Sequence, residues 1–197
     1  MARDVYSTES HNHTMITNAT PGTKSHLQAL ALIAVLCAAA YSVCMHGPFL
    51  FDDYHSIVDN PYITSLSDIP GFFYRSQAEA KLIEHSGWRP LWYTSFAINY
   101  FIGGLDTLSY HLTNLALHIA DSFLVYMLAL ALLKGRARDT WPAAVIAGVL
   151  FASHPLQTES VSYIVSRSGL MSAFFYLSAM LLYIRYREGG ERLYCWA

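Results

Sequence analysis

The apolar residues of this chain fall into long unbroken runs, not into the short alternation of a half-buried sheet. Residues 27–45 are almost wholly apolar. A helix of that length rises ~28 Å, enough to cross the hydrocarbon core of a bilayer. Residues 110–133, 141–154 and 160–184 make three more such runs. Residues 88–101 are apolar too, but short for a crossing, and a crossing there would turn the basic cluster Lys134, Arg136 and Arg138 outward, so they fit a helix lying in the interface. The mixed stretch 46–109 carries the turn pairs Gly47-Pro48, Asn60-Pro61 and Pro70-Gly71. The pattern predicts an all-α, polytopic membrane helical bundle of about four transmembrane helices, with a long first outer loop bearing short interfacial helices. Residues 1–26 are polar and read as a disordered cytoplasmic tail, residues 27–187 as the membrane domain, and 188–197 as a second cytoplasmic tail. A cleaved signal peptide is the alternative for the first run, since Ala38-Ala39-Ala40 offers a small-residue site, but the polar leader is long for one.

Composition sharpens this. Hydrophobic residues make up 54% of the 197 and charged residues 13%, about half the charge of an average soluble domain. The net charge of −2 excludes a basic nucleic-acid binder. Cys37 and Cys44 would lie ~10 Å apart on one helix, too far to bridge, and no CxxC pair exists. Orientation follows from the basic residues. With the N-terminus in the cytoplasm and 88–101 not crossing, eight of the twelve Lys and Arg fall inside: Arg3, Lys24, Lys134, Arg136, Arg138, Arg185, Arg187 and Arg192. Arg75, Lys81, Arg89 and Arg167 fall outside. The sequons Asn12-His13-Thr14 and Asn18-Ala19-Thr20 then sit on the wrong face for glycosylation.

Several polar residues interrupt the apolar runs. His111, Asn114, His118 and Asp121 share an arc of about 80° on one helix. Such a face turns to a bundle interior or a wet cavity, as glue between helices or as part of a site. Glu159, Tyr163 and Arg167 recur every four residues, which puts Arg167 two turns inside its helix. Glu159 or a bound anion would neutralise it, unless its side chain snorkels. Asp52 and Asp53 sit among Phe49, Leu50, Phe51 and Tyr54, so one carboxylate could be partly desolvated and serve as a base or metal ligand. The topology gathers these acids, Arg89, His111, Asn114, His154, Glu159 and Arg167 at one membrane face.

The order of short motifs along that face resembles the N-terminal part of the transmembrane and tetratricopeptide-repeat O-mannosyltransferases, of the GT-C class. The motifs are Phe51-Asp52-Asp53, Ile57-Val58-Asp59-Asn60, Arg89-Pro90-Leu91, Asn99-Tyr100, Tyr110-His111-Leu112-Thr113-Asn114 with His118, Leu150-Phe151-Ala152-Ser153-His154-Pro155, Thr158-Glu159-Ser160-Val161 and Ser166-Arg167. The resemblance covers about residues 47–187. It implies a truncated GT-C fold and transfer of a sugar, mannose in the family, from a polyprenyl- or dolichyl-phosphate donor. The acceptors it implies are Ser and Thr hydroxyls of exported proteins at the lumenal or periplasmic face. Asp52 or Asp53 then maps to the catalytic base, Arg89, His154 and Arg167 to the donor phosphate, and His111, Asn114 and Glu159 to the lining of the site. No cofactor is certain, and the paired acids could bind a divalent cation, Mg or Mn, although related mannosyltransferases of the class do without metal. Where the family pattern has an acid in Gly-Arg-x-Glu-Leu, this chain reads Ser166-Arg167-Ser168-Gly169-Leu170. No 34-residue repeat is present, and the chain reads as a fragment. The competing reading is a non-catalytic scaffold or sugar-lipid-binding subunit of the same fold. A haem protein ligated by His111 and His118 lacks a facing histidine pair, and a transporter lacks an inverted repeat.

Overall fold

The computed structural model describes residues 21–74, 88–135 and 139–189, and every regular element among them is a helix. Residues 1–20 and 190–197, which hold most of both expected tails, lie outside the described residues with both sequons, Arg3, Arg192 and Cys195. So do Arg75, Lys81, Arg136 and Arg138.

Helix α1, Thr23–Tyr41, starts four residues ahead of the expected 27 and runs into a 3₁₀ turn at Ser42–Cys44. The loop expected on the outer face is a chain of short helical turns, Tyr54–Val58, Pro61–Ile63 and Leu66–Asp68, followed by α2, Ile69–Tyr74. Local chemistry starts these turns. The Asn60 and Ser65 side chains accept from the N–H groups of Tyr62 and Ser67, and Pro61 fills the first position of its turn. Helix α3, Pro90–Gly103, likewise opens on a proline and stops at Gly104, whose φ of 59° suits glycine. Helix α4, Thr107–Leu133, is capped by Asp106, which accepts from Leu108 N–H. Then come α5, Thr140–Ala152, α6, Gln157–Ser162, a 3₁₀ turn at Ile164–Ser166, and α7, Arg167–Gly189.

Three stretches are long and apolar enough to cross a membrane: Thr23–Cys44, Thr107–Leu133 and Ile164–Glu188. The expected fourth, over 141–154, is the 13-residue α5, which rises only ~20 Å. It brings the chain up to His118, whose Nε2 lies 3.0 Å from the Ala152 carbonyl oxygen. Helix α6 continues to Asn114, whose Nδ2 lies 3.4 Å from the Val161 carbonyl oxygen. One ascending leg is thus made in two pieces.

Two clusters hold the bundle. The first joins α1, α4 and α5 through small buried residues: Ala29, Ile33 and Cys37 on α1 meet Ala144, Gly148 and Ala152 on α5. Lipid gives no hydrophobic drive between spans, so close backbone approach and dispersion carry this contact. A Cβ on Gly148 would stand 3.0 Å from both Ile33 Cδ1 and Tyr126 Cβ. The second cluster packs the outer-loop turns and α3 on the start of α4 and α7, with Ile57, Ile63, Phe72, Trp92, Tyr93, Phe96, Tyr110 and Ile164 buried. It carries the candidate site. At the opposite end, Lys134 pairs with Glu188 at 3.4 Å and the Tyr126 hydroxyl meets His26 Nδ1 at 2.9 Å.

Candidate functional site

The site is organised by a break that the apolar pattern does not announce. Residues 160–184 read as one helix, yet Tyr163 is extended, with φ −90° and ψ 113°. No glycine or proline causes this. The local residues, Val161, Ile164 and Val165 among serines, are only moderate helix formers. The backbone groups a break exposes need partners, and distant residues supply them. Asn114 Nδ2 is shared among the carbonyls of Val161, Tyr163 and Ile164 at 3.3–3.4 Å. The Val165 N–H donates to Asp53 Oδ1 at 2.9 Å, and the Val165 carbonyl accepts from Trp92 Nε1 at 3.1 Å.

The break moves Arg167 to the first residue of α7 instead of two turns inside a helix. The residue is 0% exposed. Its Nε donates to Asn114 Oδ1 at 2.7 Å, one terminal nitrogen to Ser95 Oγ at 2.9 Å and the other to the Tyr110 carbonyl at 3.0 Å. The guanidinium lies 4.5 Å from the Phe96 ring centroid. It is thus held by polar and aromatic groups of α3 and α4, and the considered Glu159–Arg167 pair does not form: Glu159 is exposed on α6. An internal fork of this kind ties three helices together through three of the five guanidinium N–H groups.

The adjacent acids are treated in opposite ways. Asp53 is 1% exposed, and its two oxygens accept from Leu50 N–H and Val165 N–H, each at 2.9 Å. Burial pushes its carboxyl above the ordinary range, while those two N–H groups and nearby His111 pull it back. Asp52 is exposed, and its own N–H donates to the Tyr163 hydroxyl at 3.0 Å. Between them and the loop's start, Phe51 adopts a left-handed φ of 43° while 84% exposed. A bulky residue there is strained by about 1–2 kcal/mol. The Asp53 bonds on one side and the Asp52 amide bond on the other hold it.

Arg89 stands on the rim. Its Nη1 donates to Ser168 Oγ at 3.4 Å, and its guanidinium lies 5.7 Å from the Trp92 ring centroid. Beside it runs a groove of about 410 Å³, lined by Leu91, Ser168, Gly169, Met171, Ser172 and Phe175 among others. Its polar end is Arg89 with Ser168, and its apolar end follows α7. Gly169 helps keep it open, since an added side chain would meet nothing within 4 Å.

The other predicted residues divide. His111 is buried, with Nε2 3.2 Å from the Gly47 carbonyl oxygen, so it fastens the start of the outer loop. Asn114 is central to the break. His154 is exposed in the α5–α6 turn, where its Nδ1 accepts from Leu156 N–H at 3.3 Å. No hydrogen bond among the described residues links His154 or the Glu159 side chain to the rest of the site. His111 and His118 each turn Nε2 to a backbone carbonyl, which leaves no pair for haem. The acids do not open a shared face to a divalent cation, because both Asp53 oxygens point at N–H donors, and no group of three potential metal ligands occurs among the described residues. Tyr163, Trp92, Ser95 and Ser168 were not expected in the site. Ser168 and Ser172, hydroxyls four apart on an apolar helix, were the one sequence signal for the groove.

No protein-family model matches the chain, and no solved structure does. Among curated proteins it is 35% identical over 177 residues to Protein O-mannosyl-transferase Tmtc1 of Drosophila melanogaster, covering 86% of this chain. It is 31% identical over 170 residues to Protein O-mannosyl-transferase F38B6.6 of Caenorhabditis elegans, covering 85% of this chain. It is 30% identical over 174 residues to Protein O-mannosyl-transferase TMTC3 of Homo sapiens, covering 87% of this chain. The chain spans only 20%, 24% and 18% of those relatives' own lengths, respectively.

Proposed function

Over this stretch the chain belongs to the TMTC protein O-mannosyl-transferase family, and we propose that it builds the donor and base side of a mannosyl-transfer site. The donor is a polyprenyl- or dolichyl-phosphate mannose and the acceptor a Ser or Thr hydroxyl of an exported protein. Asp52 is the base. Its carboxylate takes the proton as the hydroxyl oxygen attacks the anomeric carbon. The bond from that carbon to the phosphate oxygen breaks, and the lipid phosphate leaves with the electron pair. Arg89 and the Ser168 hydroxyl stabilise the departing anion, and the lipid chain follows the apolar groove down α7. Attack opposite the leaving phosphate inverts the anomeric centre.

One observation carries this reading: the six residues 163–168 contact both ends of the chemistry. Tyr163 takes the Asp52 amide, Val165 holds Asp53 and Trp92, and Ser168 takes Arg89. Carboxylate and cation therefore border one short segment. Asp53 and Arg167 brace that segment from inside. His154 and Glu159 border it on the α5–α6 side, where an acceptor peptide would approach. The N-terminus is cytoplasmic and this face is lumenal or periplasmic, in keeping with Lys134 and the basic end of α7 at the other end of the bundle.

The test is photo-crosslinking of a polyprenyl-phosphate-mannose analogue to the detergent-purified chain. Labelling that natural donor competes away, and that Arg89→Ala lowers at least tenfold, is the expected result. Labelling without competition, or indifferent to Arg89→Ala, would overturn the donor site. Competable labelling with no mannosyl transfer to a Ser/Thr peptide would favour a sugar-lipid-binding subunit.

A further inference from the structure

We infer that Tyr163 is a positioning residue that sets Asp52 at the rim of the site. The inference rests on the reading of Asp52 as base and deepens it. The Tyr163 hydroxyl accepts the Asp52 N–H at 3.0 Å across 111 residues of sequence. It also stands close enough to the Asp52 carboxylate to interact with it. A phenol can do both at once: a lone pair takes the amide proton, and the O–H proton stays free for a carboxylate oxygen. The hydroxyl thus restrains the Asp52 backbone and keeps its own proton available to the neighbouring acid.

The surroundings show why a restraint is needed. Asp52 is exposed and sits next to Phe51, whose left-handed backbone is strained. Left alone, that dipeptide would relax and swing the carboxylate away. The neighbouring amides are fastened within the loop: Asp53 N–H bonds the Leu50 carbonyl at 2.8 Å and Tyr54 N–H the Phe51 carbonyl at 3.2 Å. Asp52 N–H instead reaches across to Tyr163, and Tyr163 is free to reach back because the helix is broken at that residue. Asp53 fixes the same break from below through Val165 N–H. The two acids therefore have separate tasks. Asp53 latches the loop to the α6–α7 break, and Tyr163 orients Asp52 above it. A displacement of about 1 Å at a reacting group can cost about 100-fold in rate, so such a tether would act on turnover, not on donor affinity.

The experiment compares wild type and Tyr163→Phe, which keeps the ring, in the full detergent-purified chain. Amide hydrogen exchange resolved to single residues reads the tether without any need for activity. The expected result is exchange at Asp52 at least about tenfold faster in Tyr163→Phe, with Asp53 and Tyr54 unchanged. Equal exchange at Asp52 in both proteins would overturn the tether. Loss of protection across the whole loop would overturn it as well, by making Tyr163 a strut of the fold. The second readout is mannosyl transfer from dolichyl-phosphate mannose to a Ser/Thr peptide. Tyr163→Phe should lower kcat about tenfold with donor Kd unchanged, and should have no further effect in an Asp52→Asn background. An additive effect there would show that Tyr163 does not act through Asp52. A wild-type chain that keeps the tether and binds donor but transfers nothing would instead sink the functional reading, and the exchange data tell the two failures apart.

Discussion

Helix α4 buries polar groups in two regions, and it treats them differently. Near its start, Asn114 and the Tyr110 carbonyl meet Arg167, and Asn114 also covers three carbonyls of the α6–α7 break. Two turns further on, His118 reaches the Ala152 carbonyl through Nε2, while neither oxygen of the 0% exposed Asp121 has a hydrogen-bond partner among the described residues. Similar side chains on one helical face thus do different work. The first region exchanges each buried polar group for a bond to another element, and so fixes the geometry of the loop that carries Asp52. In the second, His118 bonds the Ala152 carbonyl but Asp121 gains no such bond among the described residues, and the close fit of Gly148, Ile33 and Tyr126 supplies the rest of its order. Buried polar groups specify a structure where their partners come from elsewhere in the chain, and are a burden where they do not.

The hardest test of that contrast is Arg167→Met. It removes three charge-assisted hydrogen bonds, leaves Asn114 Oδ1 unpaired inside the fold and should destabilise the chain by about 3 kcal/mol. Arg167→Lys should recover little, because an ammonium cannot span the three acceptors of the fork. Denaturant unfolding in mild detergent measures both. Gly148→Val attacks the other region through packing. Its added carbons meet Ser122 backbone at 3.1 Å as well as the two side chains, so a loss of about 1–3 kcal/mol is expected in the same assay.

A smaller effect is expected at Asp53. The amide of Asp53→Asn can accept from only one of the two N–H groups, a loss of about 1 kcal/mol. The pH dependence has a definite sign. Since burial raises the Asp53 carboxyl in the folded chain, its contribution is full below the ordinary carboxylate range. It is lost as pH rises through the raised value. Thermal unfolding of wild type against pH should show that decline, and Asp53→Asn should flatten it. The smallest effect is expected at Asp121→Leu. With no bond to lose among the described residues, stability should move by less than about 1 kcal/mol or rise. A large loss would show that Asp121 has a role like that of Asn114, and the contrast would fail.

The polar stripe of α4 was readable from spacing alone, because a 3.6-residue period puts His111, Asn114, His118 and Asp121 on one face whatever packs there. Which of the four find partners was not readable, since the partners lie 34 to 64 residues away along the chain. The break at Tyr163 was invisible for the same reason: no glycine or proline marks it, and Asp53 and Asn114 stabilise it from a distance. The depth of Arg167 was therefore placed wrongly, although its burial as an internal cation was anticipated. α5 looked like a full span because apolar composition does not reveal that Ala152 ends at the level of His118. Asp52 and Asp53 stood out as a pair, but adjacent residues of one type differ only in what the fold sets against them. Arg89 on the rim of the groove was the easiest to foresee, as a cation beside Pro90 at the start of an apolar helix.

The division of labour between the two acids is the centre of the account, and one measurement reaches it directly. Mannosyl transfer from dolichyl-phosphate mannose to a Ser/Thr peptide is compared in wild type and Asp52→Asn, with donor crosslinking measured on the same preparations. The account predicts turnover about 100-fold or more below wild type in Asp52→Asn, with crosslinking unchanged. Transfer at the wild-type rate by Asp52→Asn would contradict it.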